Sequence, residues 1–383
     1  MTIVTDIEDL RRIAQQRVPR LFFDYVDAGS WSEVTYRANR ADFDKIKFRQ
    51  RVCVNMEGRT LATRMAGIDV AMPVALAPAG LAGLQHADGE ILAARAASKA
   101  GVPFTLSTVS ICSIEDVARS VGSSFWFQLY VMRDRDFVAR LIDRAEAAGC
   151  PVLMLTLDLQ IPGQRHRDVK NGLGLLPRIT FTNLLDMLAR PRWCLGMART
   201  QRRRFGNIVG HVSGVDDVRS VAAWIASQHD PTLTWDDVEW VRRRWKGRLL
   251  LKGIMDAEDA HRAAESGADA LIVSNHGGRQ LDGAPSSIAA LPAIVDTVGS
   301  RVEVHLDSGI RSGQDVLKAW ALGARGTYVG RAWIYGLGAS GEDGVARALD
   351  IIRKELDLTM AFCGKTDIRT VDRAILVPGS LSG

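Results

Sequence analysis

Eight short apolar runs that alternate with helical stretches, with polar residues gathered at the same end of every run, predict an α/β chain folded as a (β/α)8 TIM barrel. The runs are VALAPAG (74–80), FTLSTV (104–109), WFQLYV (126–131), VLMLTLD (152–158), RLLLKGI (248–254), ALIVSNHG (270–277), VEVHLDSG (302–309) and GTYVGRA (326–332). Between them lie amphipathic stretches such as DRDFVARLIDRAEAAGC and DAEDAHRAAESGADA, the signature of βα units and a parallel sheet. A doubly wound sheet would concentrate its ligand groups at one switch point, whereas a barrel builds its site from the C-terminal end of every strand. Here Ser107, Gln128, Tyr130, Thr156, Asp158, Lys252, His276, Arg279, Asp307, Arg311 and Arg331 sit at or just past those ends.

All 383 residues read as one unit. A helical cap is expected over 1–70, the barrel over 71–340, and a C-terminal helix and tail over 341–383. The rhythm breaks once: the fourth run ends near Asp158 and the fifth begins near Arg248, leaving an insertion at about 171–245. Its first part, about 176–206, mixes Phe181, Leu184, Leu185, Met187, Leu188, Trp193 and Leu195 with Arg202, Arg203 and Arg204. Such a stretch suits peripheral contact with an anionic membrane, and equally a lid or subunit contact. Its second half reads as two further helices packed on the barrel.

The formal charge of +5 allows an anionic substrate or membrane surface, or simply a basic solvated face, and with no base-reading motif no nucleic-acid partner is expected. Five cysteines lack metal-ligand spacing, so no metal and no disulfide framework is expected, and a reducing cytosol fits. The N-terminal MTIVTDIEDLRRIAQQRV carries charges where a signal peptide needs an apolar core. The longest uncharged run, Val70 to Ala87, is broken by Pro73 and Pro78, which argues against a spanning helix.

His276 is the candidate base. Alone beside glycines it would be an ordinary turn residue, but Asp158 ends another strand on the same face. A carboxylate beside an imidazole fixes its tautomer and favours its protonated form. Arg279, three residues on, offers a planar fork matched to a carboxylate. Arg165 could reach the same anion from the opposite side, although spacing alone does not separate it from Arg167. Tyr25 and Tyr130 could donate hydrogen bonds into the mouth.

The last two runs end in glycine followed by arginine, where barrels of this kind often bind phosphate. Gly309, Arg311, Gly330 and Arg331 would supply N–H groups and guanidinium donors, and Asp307 could accept from a hydroxyl chain. Lys252 brings a cation into the mouth from an apolar strand, which implies a nearby negative charge; the anionic edge of a reduced flavin would fit, with Ser107, Gln128 and Thr156 bonding the ring. On these grounds a Schiff-base lysine aldolase and a cofactor-free phosphate-sugar isomerase also remain open.

SNHGGRQLD (274–282), WFQLYV, LTLD, LLLKGI, DSGIRSG and GRA closely resemble the FMN-dependent L-2-hydroxy-acid dehydrogenase and oxidase family, and the resemblance runs from VPRLFFDYVDAG to the C-terminal GVARALDIIRKELDLTMAFCG. It implies FMN as cofactor and His276 as the base oriented by Asp158. Arg165 and Arg279 would hold the substrate carboxylate, with Tyr25 and Tyr130 on its hydroxyl and carboxylate. Lys252 would lie at the flavin N1/O2 edge, Ala79, Gly80, Ser107, Gln128, Thr156 and Ser274 around the ring, Asp307 on the ribityl chain, and Gly309, Arg311, Gly330 and Arg331 at the phosphate. Ala79 replaces a threonine hydroxyl frequent in the family, Val109 a large tryptophan of the glycolate oxidases, and Gly80 is the residue the dehydrogenases share where the oxidases have alanine.

MPVALAPAGLAGL, VPFTLSTVSIC and HDPTLTWDDVEW look most like the quinone-linked L-lactate dehydrogenases. The reaction implied is therefore L-lactate to pyruvate, with electrons passing to a quinone or similar acceptor. Relatives of this kind imply a homotetramer, either docked peripherally on the cytoplasmic side of the inner membrane or cytoplasmic. An aryl substrate such as L-mandelate also fits the small Val109 and Gly80, and an oxygen-reducing oxidase would differ only in acceptor. A flavoprotein without catalysis would have no use for both His276 and the arginine pair.

Overall fold

The computed structural model of the chain describes residues 3–173, 180–215 and 218–380. A short hairpin, β1 (Thr63–Met65) and β2 (Ile68–Val70), precedes the eight expected strands: β3 (Val74–Leu76), β4 (Thr105–Ser107), β5 (Trp126–Tyr130), β6 (Val152–Thr156), β7 (Arg248–Ile254), β8 (Ala270–Val273), β9 (Glu303–Leu306) and β10 (Thr327–Val329). The order β3-β10-β9-β8-β7-β6-β5-β4 is parallel throughout, and a bridge between Leu76 and Phe104 closes it. This is a (β/α)8 TIM barrel.

Period-2 alternation decides what fills it. Inward-facing Ala75, Trp126, Met154, Leu250, Ile272 and Tyr328 form one buried cluster, and Met65, Ala66 and Val70 of the hairpin plug its N-terminal end. The outward residues, Leu153, Leu155, Leu249, Leu251, Leu271 and Val304 among them, join the larger core beneath the helices. Each such side chain contributes roughly 1.5–3 kcal/mol by leaving water.

The hairpin was not foreseen. Its turn puts Ala66 and Gly67 at φ of 48° and 74°, the primed geometry that matches strand twist, but Ala-Gly carries none of the usual Asn-Gly signal. The C-terminal helix, expected from 341, starts directly after β10 and runs Arg331–Phe362, with non-helical backbone at Ser340 and Gly341. The foreseen boundary is thus a kink inside a longer helix.

In the insertion, helices Val218–Gln228 and Trp235–Arg244 pack on the barrel, the second through Val238 and Val241, and Trp224 meets Phe137 edge-on at 5.0 Å. Helices Phe181–Leu188 and Pro191–Arg199 bury none of their residues. The start of the expected membrane stretch, residues 176–179, lies outside the described residues. Two expectations there need correction. Trp193 turns inward, stacking on Phe22 at 5.4 Å and donating its indole N–H to the Leu84 carbonyl, and Arg202 is tied to Asp88 and Asp116 rather than free for headgroups.

Asp27, whose side chain is 2% exposed, binds three elements at once. It accepts from Arg11 on the first helix, Arg167 on the short helix His166–Lys170 and the Tyr335 hydroxyl on the last helix. Burial alone would raise its carboxyl, but Arg11, Tyr335 and Arg167 outweigh it and hold the group well below the carboxylate range. A depressed carboxyl stabilises the fold fully above its unfolded value of about 3.9 and loses that contribution as pH falls through the folded one. Asp27→Asn should cost about 3 kcal/mol at pH 7, read as a lower urea midpoint, and the gap from wild type should narrow as pH is taken from 7 toward 3.

Candidate active site at the C-terminal mouth

A cavity of about 300 Å³ opens at the C-terminal ends of the barrel strands. Tyr25, Ala79, Gly80, Tyr130, Thr156, Arg165, Lys252, His276, Arg279, Asp307, Gly309, Arg311, Gly330 and Arg331 line it. Asp158, Ser107, Gln128 and Ser274 stand behind that wall, each in contact with one of its members or with one another.

His276 Nδ1 lies 2.9 Å from Asp158 Oδ1. With the Nδ1–H donated to the carboxylate, Nε2 is left as the ring's basic atom. Burial pushes the Asp158 carboxyl up, but His276 and then Lys252 hold it below its ordinary value, so it stays an anion beside the ring. Its second oxygen, Oδ2, is buried without a partner. The loop that presents the ring is bent sharply: His276, Gly277 and Gly278 all have positive φ, at 57°, 68° and 70°. A Cβ on Gly278 would come within 2.6 Å of the Tyr36 backbone, so only glycine lets the loop lie against the N-terminal region. His276 itself tolerates the left-handed region because its neighbours over-determine it: its N–H bonds Ser274 Oγ and Gly277 N–H bonds Ser308 Oγ.

Two arginines flank Tyr25. The guanidinium carbon of Arg279 lies 4.8 Å from the ring centroid and that of Arg165 5.7 Å. Asp168, three residues past Arg165, holds its Nε at 2.5 Å. Arg279 bonds only the backbone carbonyls of Tyr25 and Ala28 and has no carboxylate in salt-bridge range among the described residues. Burial and then Arg165 push it down to about 10, the direction expected of a cation short of negative charge. Arg167 is spoken for elsewhere, by Asp27 and Glu33. Geometry thus makes the choice between Arg165 and Arg167 that spacing could not.

The negative charge implied for Lys252 is Asp307, at 2.9 Å, and Ser274 Oγ accepts a further bond at 2.8 Å. Asp307, expected on a hydroxyl chain, is therefore also the lysine's counter-ion. Arg331, expected at a phosphate, has a structural task as well: three of its N–H groups bond the carbonyls of Val26, Ala28 and Gly277, pinning the N-terminal region to the histidine loop. Arg311 has no acidic partner among the described residues, and beside it the helix Arg331–Phe362 begins at Gly330, presenting unpaired N–H groups suited to phosphate. Gln128 Nε2 and Thr156 Oγ1 are buried with no partner among the described residues, though Ser107 donates to Gln128 Oε1 at 3.0 Å. Unsatisfied donors at such depth are costly unless a ligand meets them. The orphaned amide and hydroxyl, the buried lysine and the phosphate-type helix start fit a flavin mononucleotide.

The sequence pattern of the FMN-dependent dehydrogenases matches residues 14–378. The chain belongs to that family. Its cofactor is FMN. Similar curated proteins include the L-lactate dehydrogenase of Pseudomonas syringae pv. syringae, 43% identical over 376 residues, covering 98% of this chain and 99% of the relative. That of Caulobacter vibrioides is 44% identical over 375 residues, 98% of each. Among solved structures, the monotopic membrane protein (S)-mandelate dehydrogenase superposes with a TM-score of 0.94 at 37% identity, covering 98% of this chain and 100% of that one. A mandelate oxidase superposes at 0.82 and 35%, covering 98% of each. This family member is an FMN-dependent 2-hydroxy-acid dehydrogenase.

Sequence reasoning missed the supports: Asp168 behind Arg165, Ser308 behind Gly277, and the mutual amide pair of Asn39 and Asn275, each donating to the other at 2.8 Å. Only Asp168 left a signal, its i,i+3 spacing from Arg165. Because a lysine cannot reproduce a planar fork, Arg279→Lys should lower kcat/KM about 100-fold, or about 3 kcal/mol of transition-state binding, mainly through KM, with the bound-flavin spectrum unchanged.

Proposed function

We propose that the chain oxidises L-lactate to pyruvate and passes the electrons to a quinone or similar acceptor. The observation that carries the reading is the combination of a His276–Asp158 pair at 2.9 Å with a buried arginine short of an anion on the same loop. The substrate carboxylate completes the charge of Arg279 and Arg165, which fixes the α-carbon against the base. Tyr25 and Tyr130 orient the hydroxyl and carboxylate, and Tyr130, its phenol pushed far up by burial and then by Asp158, stays a hydrogen-bond donor. His276 Nε2 takes a proton from the substrate, and Asp158 stabilises the resulting imidazolium. FMN, when bound, supplies the acceptor for the two electrons leaving the α-carbon. Lys252, Ser274, Gln128 and Thr156 would hold the ring, and Arg311, Arg331, Gly309 and Gly330 the phosphate.

An aryl substrate is the second reading, favoured by the small residues Gly80 and Val109 on the cavity wall. Gly80 packs directly on Val109, since a Cβ there would lie 2.8 Å from Val109 Cγ2, and both residues stand on the cavity wall where a larger side chain would reach further into it. The (S)-mandelate dehydrogenase likeness supports the same alternative. The test is an anaerobic addition of L-lactate and L-mandelate to the wild type and to His276→Ala. The variant should be isolated yellow, with FMN bound, yet neither acid should bleach it; bleaching at the wild-type rate would remove His276 from the proposed role.

The exposed Phe181, Leu184, Leu185, Leu188 and Leu195 support peripheral contact with a membrane through about 176–206; the side proposed is the cytoplasmic one. No helix among the described residues is long and apolar enough to cross one. Leu184→Glu with Leu188→Glu should abolish cosedimentation with phosphatidylglycerol vesicles while flavin bleaching by substrate is kept. A homotetramer is the expected assembly.

A further inference from the structure

The interior of a barrel of this type is filled mainly by branched apolar side chains. Strand β9 departs from that rule, because Glu303 and His305 on the strand and Asp307 just past it form an ionisable column through the core. Glu303, at the N-terminal end, has a side chain 36% exposed and accepts the Ala66 N–H of the plugging hairpin. His305 is wholly buried, with Nε2 at 3.1 Å from Glu303 Oε2 and Nδ1 at 3.0 Å from the Tyr328 hydroxyl of β10. Asp307, at the top, is the counter-ion of Lys252. Tyr328 reaches the cavity wall, so the column runs from solvent at one end of the barrel to the cofactor cavity at the other.

Both protonation states of His305 fit this geometry. A neutral ring donates from Nε2 to Glu303 and accepts the Tyr328 hydroxyl hydrogen at Nδ1. A protonated ring donates from both nitrogens, and the Tyr328 hydrogen must then turn elsewhere. Tyr328 can serve as that rotor because it keeps its proton: burial, then Asp307 and Glu303, push the phenol well above its ordinary value. The other groups facing the column are few. Arg248 of β7 acts on Glu303 at the N-terminal rim and Lys252 of the same strand lies at the top, while the β8 residue in register with His305 is Ile272.

We propose that Glu303, His305 and Tyr328 are positioning residues for the flavin site, matching the charge beneath the cofactor to the electrons delivered there by a proton taken up at His305 from the N-terminal face. This rests on the reading of the cavity as an FMN site. Oxidation of the hydroxy acid releases two electrons and two protons at the mouth. The His305 proton is separate from these: it enters from bulk water past Glu303, turns the Tyr328 hydroxyl, and leaves by the same route when the electrons pass to the acceptor, so none is consumed.

The midpoint potential of the FMN-loaded protein, measured by dye equilibration from pH 5.5 to 9, tests this by giving the number of protons bound per two electrons. Wild type should bind more than His305→Gln across part of that window, by up to one proton, with the oxidised flavin spectrum alike in both. Glu303→Gln, at the half-exposed rim, removes the carboxylate that faces His305 Nε2 at 3.1 Å, and should move that window to lower pH. Identical proton counts in all three proteins overturn the proposal. If His305→Gln does not fold, an unshifted window in Glu303→Gln overturns it alone. Failure of any 2-hydroxy acid to bleach the wild type would instead overturn the reading of the site.

Discussion

Charge buried at the mouth of the barrel has to be balanced, and that requirement organises the site. Lys252 is met by Asp307 within the protein, at 2.9 Å, because both come from neighbouring parts of the same sheet. Arg165 is half-met by Asp168. Among the described residues Arg279 is met by carbonyl oxygens alone, and its guanidinium is driven down by burial beside a second cation. A cation held this way is stable only because the surrounding fold over-determines it, and an anion of carboxylate shape is what relieves it. The substrate class thus follows from an imbalance rather than from a shape.

The same constraint explains the effort spent on the N-terminal region. Arg331 and Arg279 both donate to carbonyls of residues 25–28, and Asp27 ties that segment to the first helix, the short helix His166–Lys170 and the last helix. The histidine loop packs against Tyr36 of the same N-terminal region through Gly278, where no side chain would fit. His276 is held in a left-handed conformation by this arrangement, and the strain is of the kind found where a side chain must be aimed precisely. Loosening the N-terminal region should therefore disturb His276 and Arg279 together.

Much of this was legible in the sequence, and for identifiable reasons. Strand alternation and the polar strand ends located all eight barrel strands, because burial on both faces leaves near-continuous apolar runs. His276 and Arg279 were legible because they share the loop past one strand, and Asp158 because it ends another strand on the same face. What the sequence hid were interactions between distant segments: the Ala66–Gly67 hairpin, whose turn lacks its usual residues; the inward turn of Trp193, set by Phe22 and Leu84; the pairing of Arg202 with Asp88 and Asp116; and the choice of Arg165 over Arg167, decided by Asp27 and Glu33. The resemblance to the hydroxy-acid oxidising enzymes supplied the cofactor, which the bare residues left open between a flavin and two other chemistries.

If the imbalance at Arg279 selects the substrate, then removing the charge from the substrate is the most direct test. The measurement is an anaerobic titration of the FMN-loaded protein with L-lactate and with its neutral amide, L-lactamide, followed by the flavin absorbance. Bleaching by lactate at concentrations at least 100-fold lower, about 3 kcal/mol of discrimination, is the predicted result. Equal bleaching by the two would show that no cation reads the carboxylate, and would contradict the account.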